Sequence, residues 1–256
     1  MNPLNRPVSN KLNTAISAQQ WLAVLFLAIG TLLFQYLPFF LAPQADATVL
    51  KFIGKGIISL LAGLLINWLG WWQEIGFTLR LNWREWLSYL PLLILAGLSA
   101  LVSDFLVTDP AQITFFALYA LLIGFAEEVI VRGIFLRLLL PKGRVSAVLL
   151  SSVIFGVMHL GNLWMGADLG GTLTQVGYAT LIGIAFAGTL SYGRSIWPLI
   201  VIHALVDFFP MLTGPTTEQA GMSLVSAAIL IGVQIPFALY GGWLLSRRLK
   251  ADRAVQ

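Results

Sequence analysis

Long apolar runs are the feature of this sequence that most constrains its fold. Each run reaches or approaches the ~20 residues that a helix needs to cross a bilayer. The runs lie at about residues 21–42, 49–73, 86–108, 111–140, 144–161, 171–192, 195–211 and 221–246. Because lipid offers the backbone no hydrogen-bond partners, such runs cross the membrane as helices. We therefore predict an all-α polytopic membrane protein, with about eight transmembrane helices forming a bundle around an intramembrane polar cavity.

Composition agrees with a membrane protein and excludes several classes of function. Hydrophobic residues make up 58% of the 256 residues and charged residues 10%, whereas a soluble domain carries about 25% charged residues. The net charge of +4 does not indicate a nucleic-acid partner, because the basic residues are spread over loops. The chain has no cysteine, which excludes disulfides, thiol catalysis and thiolate metal sites. The partners that we expect are the lipid bilayer and a membrane-associated substrate; no oligomeric state is predicted.

The basic residues predict the orientation of the chain. Eight crossings would place both termini on one side, and that side would hold Arg6, Lys11, Arg80, Arg84, Arg137, Lys142, Arg144, Arg194, Arg247, Arg248, Lys250 and Arg253. The other side would hold only Lys51 and Lys55. Because basic loops stay in the cytoplasm, we expect cytoplasmic termini and a location in the plasma (inner) membrane. Residues 1–20 would form a cytoplasmic segment, residues 21–247 a single membrane domain and residues 248–256 a cytoplasmic tail.

The segment 71–86 combines tryptophan with arginine. This mixture is typical of a segment at the membrane surface, where the aromatic rings lie at the depth of the headgroups and the cations reach water. We predict that it is a surface anchor without a chemical role.

Three ionisable residues interrupt the fourth run, at Glu127, Glu128 and Arg132. Each would cost about 2.5–3.5 kcal/mol at the centre of a membrane helix, so such residues usually face a protein interior or a water-filled cavity. Glu128 and Arg132 share one helical face and can form an ion pair, while Glu127 is rotated by about 100°. Glu127 would then lack its own cation, as expected of a general base or a metal ligand. Alternatively, both glutamates bind Arg132 and only lock helices together.

Two later runs contain the two histidines of the chain. His159 lies one turn after Phe155, and His203 lies one turn before Asp207 on the same face. A single membrane histidine more often serves packing, but six ionisable residues on three runs would share a large insertion cost, which favours one polar site. At 1.5 Å per residue, Glu127 and His159 lie roughly 22 Å from the cytoplasmic boundary and His203 about 13 Å, so helix tilt must bring them together.

These three segments resemble the CAAX protease family (CPBP, CAAX proteases and bacteriocin-processing proteins), also called type II CAAX prenyl endopeptidase-like or Abi. The family pattern is Glu-Glu-x-x-x-Arg, then Phe-x-x-x-His, then His-x-x-x-Asn or Asp, on successive membrane helices. The matching residues are Glu127-Glu128-Val129-Ile130-Val131-Arg132, Phe155-Gly156-Val157-Met158-His159 and His203-Ala204-Leu205-Val206-Asp207. All three motifs are complete and in order, across roughly residues 112–211.

The resemblance implies an intramembrane endopeptidase that cleaves a membrane-associated or prenylated (CAAX-type) protein or peptide. By this resemblance, Glu127 and His159 would position and activate the attacking water, and Glu128 and Arg132 would orient the site.

The same resemblance implies that His203 and the residue four positions later stabilise the tetrahedral oxyanion. That residue is Asp207, where the eukaryotic prenyl proteases have asparagine. An aspartate donates to an oxyanion only when it is protonated; when ionised, it would accept from His203 and orient the ring.

Two alternatives stay open at the level of the sequence. Glu127, His159 and His203 are a ligand set that catalytic zinc uses, but the chain has no His-Glu-x-x-His pair, and the family can also be read as metal-free. The competing function is a non-catalytic membrane scaffold, regulator or bacteriocin-immunity protein on the same fold, because fold alone does not determine function.

Overall fold

The computed structural model describes residues 20–213 and 223–254, which form a bundle of helices. The helices are α1 (Gln20–Leu41), α2 (Ala47–Leu69), α3 (Trp83–Leu87), α4 (Leu90–Leu101), α5 (Pro110–Glu128), α6 (Leu136–Leu139), α7 (Arg144–Met158), α8 (Leu169–Gly193), α9 (Trp197–Met211) and α10 (Leu224–Arg253). A π-helical turn (Val129–Phe135) joins α5 to α6, and 3-10 turns follow α6 (Leu140–Lys142) and α7 (His159–Met165).

Six helical segments within the described residues are long and apolar enough to cross a membrane. The predicted all-α membrane bundle is therefore confirmed, and the protein is an integral membrane protein. The predicted count of eight crossings is not confirmed, because the runs 86–108 and 195–211 form the shorter helices α4 and α9. Most of the predicted cytoplasmic segment and the first residues of the run 221–246 lie outside the described residues.

The helices α4 and α9 run side by side in the same direction. At their beginnings, the Tyr89 hydroxyl donates to the Ser195 carbonyl at 2.7 Å. Farther along, the amides of Leu106 and Val107 both donate to the Leu212 carbonyl at 3.0 Å. Residues 102–108 of this run are thus non-helical, because the end of α9 satisfies part of their backbone.

Aspartates placed just before several helices explain where these helices begin. Asp46 accepts from the amides of Thr48 and Val49 at the start of α2. Asp109 and Asp168 cap α5 and α8 in the same way. Each carboxylate satisfies amides that have no partner inside the helix, which stabilises the helix by about 1 kcal/mol.

The first half of the segment 71–86 is not a surface anchor. Trp71 is fully buried in the core, and Glu74 accepts from the buried Arg137 at 3.1 Å. Trp83, in the second half, is exposed as predicted. The surface prediction is therefore wrong for Trp71. Arg137 is buried in a helix instead of lying in a cytoplasmic loop, because the half-buried Glu74 compensates its charge.

Candidate active site

Three parts of the bundle carry the ionisable residues that the sequence predicts for one site. The end of α5 and the π-helical turn carry Glu127, Glu128 and Arg132, the end of α7 carries His159, and α9 carries His203 and Asp207. Close helix packing brings α5 and α9 together: a Cβ atom on Gly124 would lie 2.6 Å from the Ile200 carbonyl oxygen. A glycine at this crossing therefore lets the two backbones touch one turn before the glutamates.

Glu128 and Arg132 form the ion pair that their spacing predicts. Their oxygen and nitrogen lie 3.0 Å apart, and both side chains are 0% exposed. The guanidinium carbon of Arg132 lies 4.4 Å from the ring centroid of Phe155 and 5.4 Å from that of Phe186. These cation–π contacts stabilise a guanidinium that is fully buried.

Arg132 belongs to the π-helical turn, which the sequence does not predict. A π-helical turn is wider than an α-helical one and is frequently found at functional sites. In such a turn, side chains that follow Glu128 point in directions that differ from those of a regular helix. The turn therefore helps to place the guanidinium between two aromatic rings while it still reaches Glu128.

The His203 ring faces all three carboxylates of the site. Its Nδ1 lies 2.6 Å from Oε1 of Glu128. Its Nε2 lies 3.6 Å from Oε2 of Glu127 and 3.5 Å from Oδ2 of Asp207. Because Arg132 compensates Glu128, that carboxylate accepts a hydrogen bond from Nδ1 and orients the ring. Nε2 is consequently the nitrogen that His203 presents between Glu127 and Asp207.

His159 lies where α7 changes into the 3-10 turn. Its Nδ1 lies 2.9 Å from the carbonyl oxygen of Phe155. Because a carbonyl oxygen only accepts, Nδ1 carries the hydrogen, and Nε2 of the neutral ring has the free lone pair. The ring of Phe155 contacts both histidines, with centroids 4.9 Å from the His159 ring and 6.2 Å from the His203 ring. His159 thus belongs to the same site and offers it a proton acceptor.

Glu127 has a cationic partner that the sequence analysis missed. Nζ of Lys55 lies 2.6 Å from Oε1 of Glu127 and 2.8 Å from Oε1 of Gln35. The expectation that Glu127 lacks its own cation is therefore wrong. Lys55 is also not a loop residue, because it lies inside α2 and is buried. A lysine within an apolar run is the same kind of signal that identified Glu127, and it would have found Lys55.

Several contacts of the predicted zinc ligands disfavour a metal ion in this arrangement. No group of three or more His, Cys, Asp or Glu side chains in the described part of the chain is arranged to hold one. Glu127 is already bonded to the Lys55 ammonium, which would repel a divalent cation. Nδ1 of His203 is bonded to Glu128. Zinc binding by Glu127, His159 and His203 stays a prediction.

Residues 109–209 match a family model described as Type II CAAX prenyl endopeptidase Rce1-like. This match assigns residues 109–209 of the chain to the CAAX protease family. The resemblance carried by the three motifs is thereby confirmed, and all six predicted ionisable residues lie within the matched range. Comparison with curated proteins and with solved structures gave no match.

The CAAX protease domain does not contain every residue of the site. It begins at the cap of α5 and reaches into α9. Gln35 and Lys55 belong to α1 and α2, which precede it. Two helices outside the matched domain therefore supply the cation that contacts Glu127 and the amide that holds this cation.

Proposed function

We propose that this protein is an intramembrane endopeptidase that hydrolyses a peptide bond of a membrane-associated or prenylated (CAAX-type) protein or peptide. The observation that carries the proposal is the contact of half-buried Glu127 with a buried cluster of Glu128, Arg132 and His203 within a CAAX protease domain. Membership of a protease family supports the class of reaction. Ionisable side chains at this depth are costly, which supports a chemical role.

Glu127 would act as the general base. Lys55 holds its Oε1, so Oε2 is the oxygen free to take a proton from the attacking water. The lone pair on Nε2 of His159 would orient that water. The hydroxide oxygen would then bond to the scissile carbonyl carbon, and the proton on Glu127 would pass to the leaving nitrogen as the C–N bond breaks.

His203 would stabilise the oxyanion that forms on the carbonyl oxygen. Its Nε2 donates when the ring carries both hydrogens, and the ion pair of Glu128 with Arg132 fixes the orientation of the ring. Asp207 lies beside the same nitrogen and would help to orient it. In this proposal Glu128 and Arg132 act through His203 and do not touch the substrate.

The proposed reaction uses no metal ion, because Lys55 already supplies the positive charge beside Glu127. Purified protein in proteoliposomes, treated with a chelator and assayed with and without added zinc, tests this point. We expect unchanged turnover after chelation. Loss of turnover that zinc restores would show that the metal-free mechanism is wrong.

The substrate can be found by comparing membrane proteomes of the wild type and a Glu127→Gln strain. Juxtamembrane or C-terminal cleavage products should be present in the wild type and absent from Glu127→Gln. Asp104→Asn is the matched control, because it makes the same carboxylate-to-amide change at an exposed position. If a folded Glu127→Gln variant fully restores the phenotype of a strain that lacks the protein, the non-catalytic scaffold is favoured instead.

We also propose that both termini face the cytoplasm. Arg84, Arg247 and Arg248 line one cavity of about 260 Å³, and Arg194 is paired with Glu85 beside it. Basic residues thus gather at one end of the bundle, as the positive-inside rule expects for the cytoplasmic end. A reporter that folds only in the cytoplasm should be active when it is fused to the C-terminus. An inactive reporter would indicate the opposite orientation.

A further inference from the structure

A buried lysine in α2 is bonded to the proposed general base. The side chains of Lys55 and Glu127 are 11% and 18% exposed, and their charged atoms lie 2.6 Å apart. A lysine at this depth is costly without a partner, and an apolar side chain would serve packing equally well. The direct contact of the ammonium with Glu127 indicates that the charge itself has a task in the site.

The packing of α1 against α2 fixes where the ammonium lies. A Cβ atom on Gly54 would clash with the backbone carbonyl of Gln35, so the two helices touch at this level. This close approach lets the Gln35 side chain accept from Lys55 at 2.8 Å. The ammonium therefore lies between an amide oxygen and a carboxylate, which restricts its freedom.

The same turn of α1 is also tied to the 3-10 turn that begins with His159. The hydroxyl of Tyr36 donates to Oδ1 of Asn162 at 3.1 Å. Asn162 in turn donates to Gln175 at 2.9 Å. Neighbouring residues of α1 thus contact Lys55 on one side and the 3-10 turn after His159 on the other.

We propose that Lys55 is a positioning residue for the general base: it binds Oε1 of Glu127, keeps the carboxylate charged and directs Oε2 towards His203. The proposal rests on the proposed function, because it assigns Glu127 the role of base. It adds that the site is completed by α1 and α2, outside the matched domain. A fixed ammonium here provides a single positive charge beside the base; unlike the divalent metal ion of a metallopeptidase, it does not polarise the substrate carbonyl.

Several ionisable groups surround Glu127, and they come from different elements of the bundle. They are Lys55 on α2, Glu128 and Arg132 on the same segment as Glu127, His159 at the end of α7, and His203 and Asp207 on α9. Arg132 is bonded to Glu128, and Nε2 of His203 is shared with Asp207. Removing Lys55 would therefore leave Glu127 without a cation of its own, and a desolvated carboxylate without a cation takes up a proton.

Infrared spectroscopy of the purified protein tests this consequence without any substrate. At neutral pH, Lys55→Met should show the C=O stretch of a protonated carboxylic acid that the wild type lacks. The band should disappear in the double variant Lys55→Met/Glu127→Gln, which identifies the carboxyl group. Lys51→Met is the matched control, because Lys51 lies one turn earlier on α2 and is exposed; its spectrum should equal that of the wild type. Absence of the band in folded Lys55→Met would overturn the proposal.

Kinetics with a quenched, farnesylated CAAX peptide in proteoliposomes give the second measurement. A general base contributes about 10²–10⁴-fold to the rate. Because Glu127 would be protonated in Lys55→Met at neutral pH, the kcat of this variant should be lower by about that factor, with KM unchanged. Activity should recover as the pH rises and the base ionises again, and Lys55→Arg should retain part of it. A Lys55→Met variant with the wild-type pH profile would refute the positioning role.

The two proposals fail in different ways. Turnover by Glu127→Gln would refute Glu127 as the base, whatever the infrared result. An inactive Glu127→Gln together with a fully active Lys55→Met would refute only the role of Lys55. If the wild type does not cleave the peptide, the infrared band alone decides whether Lys55 keeps Glu127 charged.

Discussion

Replacing Arg132 with glutamine should destabilise the protein far more than replacing a surface arginine. Arg132 and Glu128 are both 0% exposed, so Arg132→Gln leaves a buried carboxylate without its cation. Breaking one partner of a buried pair costs about 3–5 kcal/mol. This range already includes the lost contacts of the guanidinium with Phe155 and Phe186, worth about 2 kcal/mol at a desolvated site. At about 2–4 °C per kcal/mol, the Tm should fall by about 6–20 °C.

Thermal unfolding in detergent micelles measures this loss, and a double-mutant cycle assigns it to the pair. Glu128→Gln removes the uncompensated charge, so the variant Arg132→Gln/Glu128→Gln should be more stable than the sum of the single losses predicts. Arg247→Gln is the control, because Arg247 is exposed and lies over Trp243. If the losses of stability are additive, or if Arg132→Gln is as stable as the control, the two residues do not stabilise the protein as an ion pair.

Three further substitutions test the packing around the site. Gly124→Val should disrupt the contact of α5 with α9 and abolish turnover of the farnesylated peptide, whereas Gly97→Val, which meets nothing within 4 Å, should leave turnover unchanged. Phe186→Leu removes an aromatic face from the buried guanidinium and should lower the free energy of unfolding by about 0.5–1.5 kcal/mol. Tyr36→Phe removes one hydrogen bond and should cost about 1 kcal/mol in the same thermal assay.

The features that the sequence predicts correctly are those set by local spacing. Glu128 and Arg132 are four residues apart, and this spacing alone places them within reach of each other on a helix. The three motifs that identify the CAAX protease family are also local patterns, and the family match confirms them. The long apolar runs predict membrane helices because the thickness of the bilayer sets the helix length.

The features that the sequence misses depend on contacts between distant segments. Lys55 approaches Glu127 only because α2 packs beside α5, and nothing in the residues around either side chain shows this. Phe186 reaches Arg132 from α8, with no motif to mark it. The shortened α4 has the same kind of cause, since the residues after it pair with the Leu212 carbonyl at the end of α9.

Charge balance explains why the site combines these particular residues. Glu127, Glu128 and Asp207 can bring three negative charges, while Lys55 and Arg132 bring two positive ones. One further positive charge balances the cluster, and a proton on His203, which faces all three carboxylates, would provide it. The same proton is the one that Nε2 would donate to an oxyanion. A divalent metal would add two positive charges to a cluster that a single proton neutralises. Loss of Lys55 would instead leave too little positive charge beside Glu127, the carboxylate that must act as the base.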